Sequence, residues 1–192
     1  MNTDEIKQLF IETRAFLEGH FELSSGLHSN EYVQCALVLQ YPHIAEKLAA
    51  LLADKFRGEN ISCVVGPALG GVTLAYEAAR ALKVRGIFTE RKDGVMQMRR
   101  GFSLSDNDRV LVVEDVITTG GSVTEVVQLI ESLGNRIVGV GSLIDRSAGS
   151  ADFGYPFHSL LSLPLQAYNP TECPLCRAGE EIIKPGSKKQ VT

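Results

Sequence analysis

The chain of 192 residues has the length of one domain, at roughly 100 to 200 residues per domain, and its 44% hydrophobic and 22% charged residues exclude disorder and fibre. Lysine and arginine number 19 against 23 aspartates and glutamates, a formal net charge of −4, which excludes a broad electrostatic footprint for nucleic acid. The start, Met-Asn-Thr-Asp-Glu, lacks the features of a secretory signal, and no apolar run approaches the ~18 residues of a membrane span, so the expected setting is the cytoplasm, with no membrane partner.

In chain order, residues 3 to 18 predict a helix: Thr3 serves as the cap, Asp4 and Glu5 suit its positive end, Ile6, Leu9, Phe10, Thr13 and Leu17 share a face, and Gly19 stops it. Residues 21 to 35 switch to short alternating pieces punctuated by Ser24, Ser25 and Gly26, a small strand-and-turn region. Residues 41 to 57 return to helix through Ile44, Leu48, Leu51, Leu52 and Phe56. Then strand and amphipathic helix alternate: strand 61 to 65, helix 71 to 83, strand 86 to 90, strand 109 to 114, helix 121 to 133, strand 136 to 144. That order predicts an α/β fold with a mainly parallel central sheet flanked by helices. Ligands of such sheets bind in the loops after the strands, which directs attention to residues 66 to 71, 91 to 102, 114 to 122 and 145 to 154. From about residue 169 the tail reads as irregular.

Four cysteines are too few and too unevenly placed for a disulfide framework. Cys35 and Cys63 stand in apolar runs and read as buried small hydrophobes. Cys173-Pro-Leu-Cys176 is half of a zinc knuckle whose second half the sequence does not supply at a convincing spacing; if it binds metal, it does so mainly by bridging two chains.

Residues 109 to 123 read RVLVVEDVITTGGSV. Val110 to Val113 form the continuous apolar run of a strand buried on both faces. Two acids, Glu114 and Asp115, follow at its carboxyl end. Thr118, Thr119, Gly120, Gly121 and Ser122 then open a helix whose free amides and positive dipole end suit a phosphate. Acids beside a phosphate cradle must face something else, a sugar diol or a hydrated metal ion, and a phosphorylated ribose satisfies both halves. There is no Walker A Gly-Lys-Ser/Thr and no dinucleotide fingerprint.

This stretch resembles the phosphoribosyl pyrophosphate (PRPP) binding motif of the type I phosphoribosyltransferase family. Three more stretches resemble its orotate-using members: FELSSGLHS at residues 21 to 29 the amino-terminal hood, GPALGG at 66 to 71 the pyrophosphate loop, and SLIDR at 142 to 146 the strand end that carries an orotate-contacting arginine. The resemblance implies one phosphoribosyltransferase domain over residues 1 to 192, with a hood at about 19 to 40 and an irregular tail at about 169 to 192. It implies transfer of phosphoribosyl from PRPP to orotate, with Mg2+ as cofactor and a homodimer as the working form. Glu114 and Asp115 then hold the ribose hydroxyls, Thr118, Thr119, Gly120, Gly121 and Ser122 hold the 5′-phosphate, Val116 and Ile117 complete the PRPP-binding set, and Thr118 and Arg146 contact orotate.

ERKDGVMQMRRG at 90 to 101 matches the family's mobile loop. Its Arg91 and Lys92 are assigned to PRPP, and Arg99 and Arg100 join the acid pair as catalytic groups; four cations suit a polyanion. Two lysines of the family's better-known members are replaced, by Ser24 in the hood and Gly70 in the pyrophosphate loop. His28, a lone histidine after a glycine turn, reads as a surface or hydrogen-bonded residue, while its place in the hood supports contact with substrate. Two further readings stay open: transfer to another base, a purine or uracil, and a non-enzymatic PRPP-sensing regulator.

Overall fold

A computed structural model describes residues 1–23, 25–164 and 166–185; Ser24, and the tail beyond Pro185, lie outside the described residues. Helix α1 (Thr3–Glu12) is capped by Asn2, not Thr3, whose side chain accepts from the Glu5 amide while Glu5 reaches back to the Asn2 amide, a capping box. It ends six residues earlier than the apolar spacing predicts. The Thr13 hydroxyl donates to the Leu9 carbonyl at 2.6 Å, Arg14 turns left-handed at φ 55°, and the Ala15 amide closes onto Phe10. The chain then reverses into strand β1 (Phe16–Glu22), so Leu17 belongs to a strand face.

β1 pairs antiparallel with β2 (His28–Val33), giving the expected strand-and-turn hood. Helices α2 (Cys35–Leu39) and α3 (Pro42–Asp54) follow, then β3 (Cys63–Pro67), α4 (Gly70–Leu82), β4 (Arg85–Lys92), β5 (Val95–Met98), β6 (Arg109–Ile117), α5 (Gly121–Ser132), β7 (Arg136–Asp145), β8 (Phe157–Ser162), β9 (Ala167–Tyr168) and α6 (Pro174–Arg177). The main sheet runs β5-β4-β3-β6-β7-β8, parallel except for β5. The mainly parallel sheet with flanking helices is as predicted. β9 adds a third strand to the hood sheet, beside β2.

The basic segment expected as a loop is instead a hairpin. β4 runs on to Lys92 and returns as β5 through Asp93 and Gly94, both at positive φ (55° and 81°), the Asp-Gly signature of a tight turn. β8 was also unmarked, because its residues lack the apolar run of a central strand.

Each strand's alternation sends its side chains to two cores. Val64, Leu111 and Val113 pack with Leu48, Leu52 and Leu74 of α3 and α4 on one face. Val65, Val110 and Val112 pack with Val123, Val126 and Ile130 of α5 on the other. Cys35 and Cys63 are buried, as expected, and burial raises both thiols, Cys63 to about 11. The tail is more ordered than its prolines suggest: α6 lies against the hood, and Ile183 bridges to Phe21, its amide donating to the His20 carbonyl at 2.7 Å. Among the described residues no helix is long and apolar enough to cross a membrane.

Candidate active site

β6 continues past its apolar run to Ile117, so the acid pair sits on the strand itself and not in the loop after it. Period-two alternation then turns the pair toward different cavities, while the two carboxyls stay within hydrogen-bond reach of each other. Glu114 continues the Val110, Val112 face and lines a cavity of about 240 Å³ under α5. Asp115 continues the Leu111, Val113 face and lines two further cavities, of about 350 and 320 Å³, toward the hood and toward α4. Burial raises both carboxyls, and for Glu114 the neighbouring Asp115 charge raises it further. A Val116 amide hydrogen bond at 2.9 Å partly holds Asp115 down. Two acids that resist ionising together call for a neutralising partner, a cation or the hydroxyl protons of a diol.

The 240 Å³ cavity is lined by Val116 to Val123 with Arg91, Glu114 and Glu125. α5 starts there without a side-chain cap, leaving its first amides for a ligand. Ile117 is buried in the α5 core, so it serves the cradle through its backbone, while Thr118, Thr119 and Gly121 are exposed and Ser122 is half-buried. Arg91 is held at the rim by two hydrogen bonds to Glu125, both 2.9 Å, and one to Ser122 at 3.0 Å. Gly120 has φ 77°, and a Cβ there would stand 2.8 Å from the Phe153 ring. Both strain and clash oppose a side chain at this turn. Gly120→Ala is therefore expected to raise the KM for PRPP at least about tenfold while the central sheet survives, since a displaced cradle loses several amide contacts worth ~1 kcal/mol each; PRPP titrations alongside circular dichroism check this.

The 350 Å³ cavity lies between the hood and the ends of β6 and β7. Glu22, Tyr32, Gln34, Asp115, Val116, Thr118, Arg146 and Lys184 are among its lining residues. The Arg146 guanidinium is half-buried, its Nε has no hydrogen-bond partner among the described residues, and burial lowers its affinity for a proton against the pull of Tyr32 and Glu31. An ion pair with Asp145 or Asp152 would have given it a structural role, but among the described residues Arg146 pairs with neither, and the hydrogen bonds these acids accept come from the Ser147 and Gly154 amides. Sequence reading missed Tyr32, Gln34 and Lys184, which long-range packing brings here. Lys184 donates to Glu22 at 2.6 Å and places a tail cation in the hood, the element in which the family's lysine is replaced by Ser24.

On the α4 side, the 320 Å³ cavity joins Asp115 to Gln34, Leu69 and Gly70. Gly70 has a local reason. A Cβ at this position would overlap the Asp115 carboxylate, so the glycine that replaces a family lysine lets the helix start lie against the acid. His28, whose place in the hood suggests contact with substrate, is buried against His20 and lines none of these cavities.

The remaining cations stand apart. Lys92, Arg99 and Arg100 line none of the three cavities. Arg100 makes a two-pronged contact with Glu90 at 2.8 and 2.9 Å, and Arg99 approaches the same carboxylate at 3.9 Å. Within one chain, the structure thus gathers Glu114, Asp115, the 116 to 122 segment, Arg91 and Arg146, and leaves Lys92 on the hairpin and Arg99 and Arg100 just after it.

An acid pair thus stands between the uncapped start of α5 and two further cavities. A family model described as the phosphoribosyl transferase domain matches residues 37–164, and the chain belongs to that family. Relatives narrow the assignment. An orotate phosphoribosyltransferase from Caldicellulosiruptor bescii is 53% identical over 190 residues, covering 99% of this chain and 100% of its own. One from Carboxydothermus hydrogenoformans is 54% identical over 187 residues, covering 96% and 98%. The solved orotate phosphoribosyltransferase of Aeropyrum pernix superposes with a TM-score of 0.70 at 25% identity, over 82% of this chain and 93% of its own. Within the family, the chain groups with these orotate phosphoribosyltransferases.

Proposed function

We propose that the three neighbouring cavities, which share lining residues, bind PRPP and orotate together and transfer the phosphoribosyl group to N1 of orotate, releasing pyrophosphate and forming orotidine 5′-monophosphate. The observation that carries this reading is Arg146: a half-buried guanidinium with an unpartnered Nε in the cavity that Asp115 borders. Orotate differs from uracil by a carboxylate, and a guanidinium grips a carboxylate through two parallel hydrogen bonds.

The cradle of residues 116 to 122 anchors the 5′-phosphate, and the acid pair, facing both ways from the strand end, receives the ribose hydroxyls between the cavities. C1′ then points toward the hood cavity, where Arg146 and Thr118 orient N1 of the base. Pyrophosphate leaves toward Gly70, Leu69 and Gln34. The donor set suits Mg2+: two adjacent carboxyls with raised proton affinity supply too few ligands for a closed cage, as expected for an ion that keeps waters and substrate oxygens. When bound, Mg2+ neutralises charge developing on the departing pyrophosphate. Charge at C1′ develops ahead of the new bond, so the site must exclude water while the carboxyls stabilise the ribose. The polyanionic substrate, which does not cross membranes, sets the reaction in the cytoplasm.

Lys92, Arg99 and Arg100 lie outside their own chain's cavities, which supports a homodimer in which the hairpin of one protomer closes over the site of its partner. Mixing Arg99→Ala/Arg100→Ala protein with Asp115→Asn protein is expected to restore up to about half of the wild-type activity per mixed dimer, since each carries one site with both lesions and one intact. If subunit exchange is demonstrated and no activity returns, the hairpin acts within its own chain. The reaction itself is tested by the loss of orotate absorbance with PRPP and magnesium. Consumption of adenine, hypoxanthine or uracil in its place would reassign the base, and binding of PRPP without turnover of any base would make the protein a sensor.

A further inference from the structure

The hood and the tail meet at a cluster that phosphoribosyl transfer does not use. His20 comes from β1, just where a register shift between Glu18 and Phe21 re-aims the strand, and His28 opens β2. Cys173 caps the single turn of α6 and Cys176 lies within it, so the Cys-x-x-Cys spacing turns both sulfurs toward the hood.

The distances are close to those of a coordination shell. His20 Nε2 stands 2.9 Å from His28 Nδ1 and 3.6 Å from the Sγ of each cysteine, and Cys176 Sγ stands 3.2 Å from His28 Nδ1. All four donor atoms lie within 4.8 Å of one another, and three of the four residues are buried. A tetrahedron with metal–nitrogen bonds of ~2.0 Å and metal–sulfur bonds of ~2.3 Å has edges of about 3.3 to 3.8 Å. His20 Nδ1 donates to the Glu180 carbonyl at 3.0 Å, which leaves Nε2 unprotonated, the orientation a ligating imidazole takes from its outer partner. That nitrogen has one lone pair, yet three groups converge on it. A hydrogen bond from His28 would satisfy the lone pair but leave the two thiols crowded around it with only each other to bond; one cation at the centre satisfies all four.

We propose that His20, His28, Cys173 and Cys176 form a closed, structural zinc site, Zn2+ entering as the two thiols lose their protons. Two sulfurs and two nitrogens in a tetrahedral array favour zinc over the hard cations. Four protein ligands leave no position for a substrate, which makes the role one of holding structure. The half-knuckle of the tail thus finds its complement in its own chain's hood, not in a second chain. The clasp fixes the tail just before Ile183 pairs with β1 and Lys184 reaches the base cavity. This inference is independent of the base that the enzyme uses.

The test uses the full-length protein, purified without chelator under reducing conditions. Elemental analysis is expected to find about one zinc per chain after gel filtration, and chelator-stripped protein is expected to bind one equivalent of Co2+ with the thiolate charge-transfer and intense visible bands of tetrahedral S2N2 coordination. Zinc returned to stripped protein should raise Tm and protect the tail from protease. Cys173→Ser with Cys176→Ser should cut retained zinc at least about tenfold and abolish the cobalt bands. Should that variant fail to fold, the wild-type cobalt titration decides alone. Protein produced in zinc-replete medium that purifies metal-free, a Tm indifferent to added zinc, an octahedral cobalt spectrum, or a Cys173–Cys176 disulfide that persists with zinc present would each overturn the proposal.

Discussion

Replacing Arg146 by alanine is expected to lower kcat/KM for orotate by about 30- to 1,000-fold, which corresponds to the ~2 to 4 kcal/mol lost when one partner of a buried, hydrogen-bonded charge pair is removed. The loss should fall on orotate alone. Arg146 lines the cavity between hood and sheet and is absent from the phosphate cradle, so the KM for PRPP is expected to move by less than about threefold, within the spread of an ordinary surface change. Stability should hold or improve, because a half-buried cation whose Nε has no partner carries a desolvation cost that alanine removes. Lysine should rescue poorly, since an ammonium cannot reproduce the planar two-pronged contact. Steady-state kinetics with each substrate varied in turn, together with Tm, separate these effects. A parallel rise in both KM values would give Arg146 a general positioning role.

Asp115→Asn is expected to reduce kcat/KM for PRPP by about 100- to 1,000-fold, the range seen when one preorganised electrostatic contact to the reacting group is lost. Glu114→Gln should be similarly impaired, and both variants should nonetheless be more stable than the wild type above neutral pH. The sign follows from the environment. Burial raises both carboxyls in the folded chain, and the Asp115 charge raises Glu114 further. The folded state therefore holds protons that the unfolded chain releases near pH ~4, and stability falls as pH climbs from that value through the raised folded range. A neutral amide escapes this loss. Below pH ~4, where both states are protonated, variant and wild type should melt together. Melting curves across pH for wild type and Glu114→Gln check it; a gap that stays constant with pH would mean that the pair is ionised at no cost. Mg2+ with PRPP should stabilise the wild type far more than either variant, as a ligand of the folded state alone.

The features legible in the sequence are those that one short piece of chain completes. Strand, acid pair and glycine cradle occupy residues 109 to 123, and continuous apolar residues followed by small hydroxyl residues fix that strand, turn and helix whatever the rest of the chain does. The same locality explains the alternating strands and helices of the parallel sheet. The end of α1 was misread because Ile6, Phe10 and Leu17 fit a helical stripe, while the left-handed Arg14 that stops the helix leaves no mark in an apolar pattern. The hairpin of β4 and β5 did leave one, Asp93-Gly94, outweighed by the charges around it.

Tertiary structure alone decided what distant segments do together. Adjacent acids were visible as a pair, but only the sheet, with α5 on one face and α3 and α4 on the other, determined that Glu114 and Asp115 open onto different cavities. Arg146 could be matched to a motif, yet its missing partner became visible only when Asp145 and Asp152 were found bonded to nearby amides. The cysteine pair meets His20 and His28 across 153 and 148 positions of sequence, and Lys184 meets Glu22 across 162. Periodicity and capping act over a few residues, because they arise from hydrogen bonds and packing within one turn or one strand. Which tail reaches which hood depends on how the sheet buries its two faces, and that is settled by the packing of the whole chain.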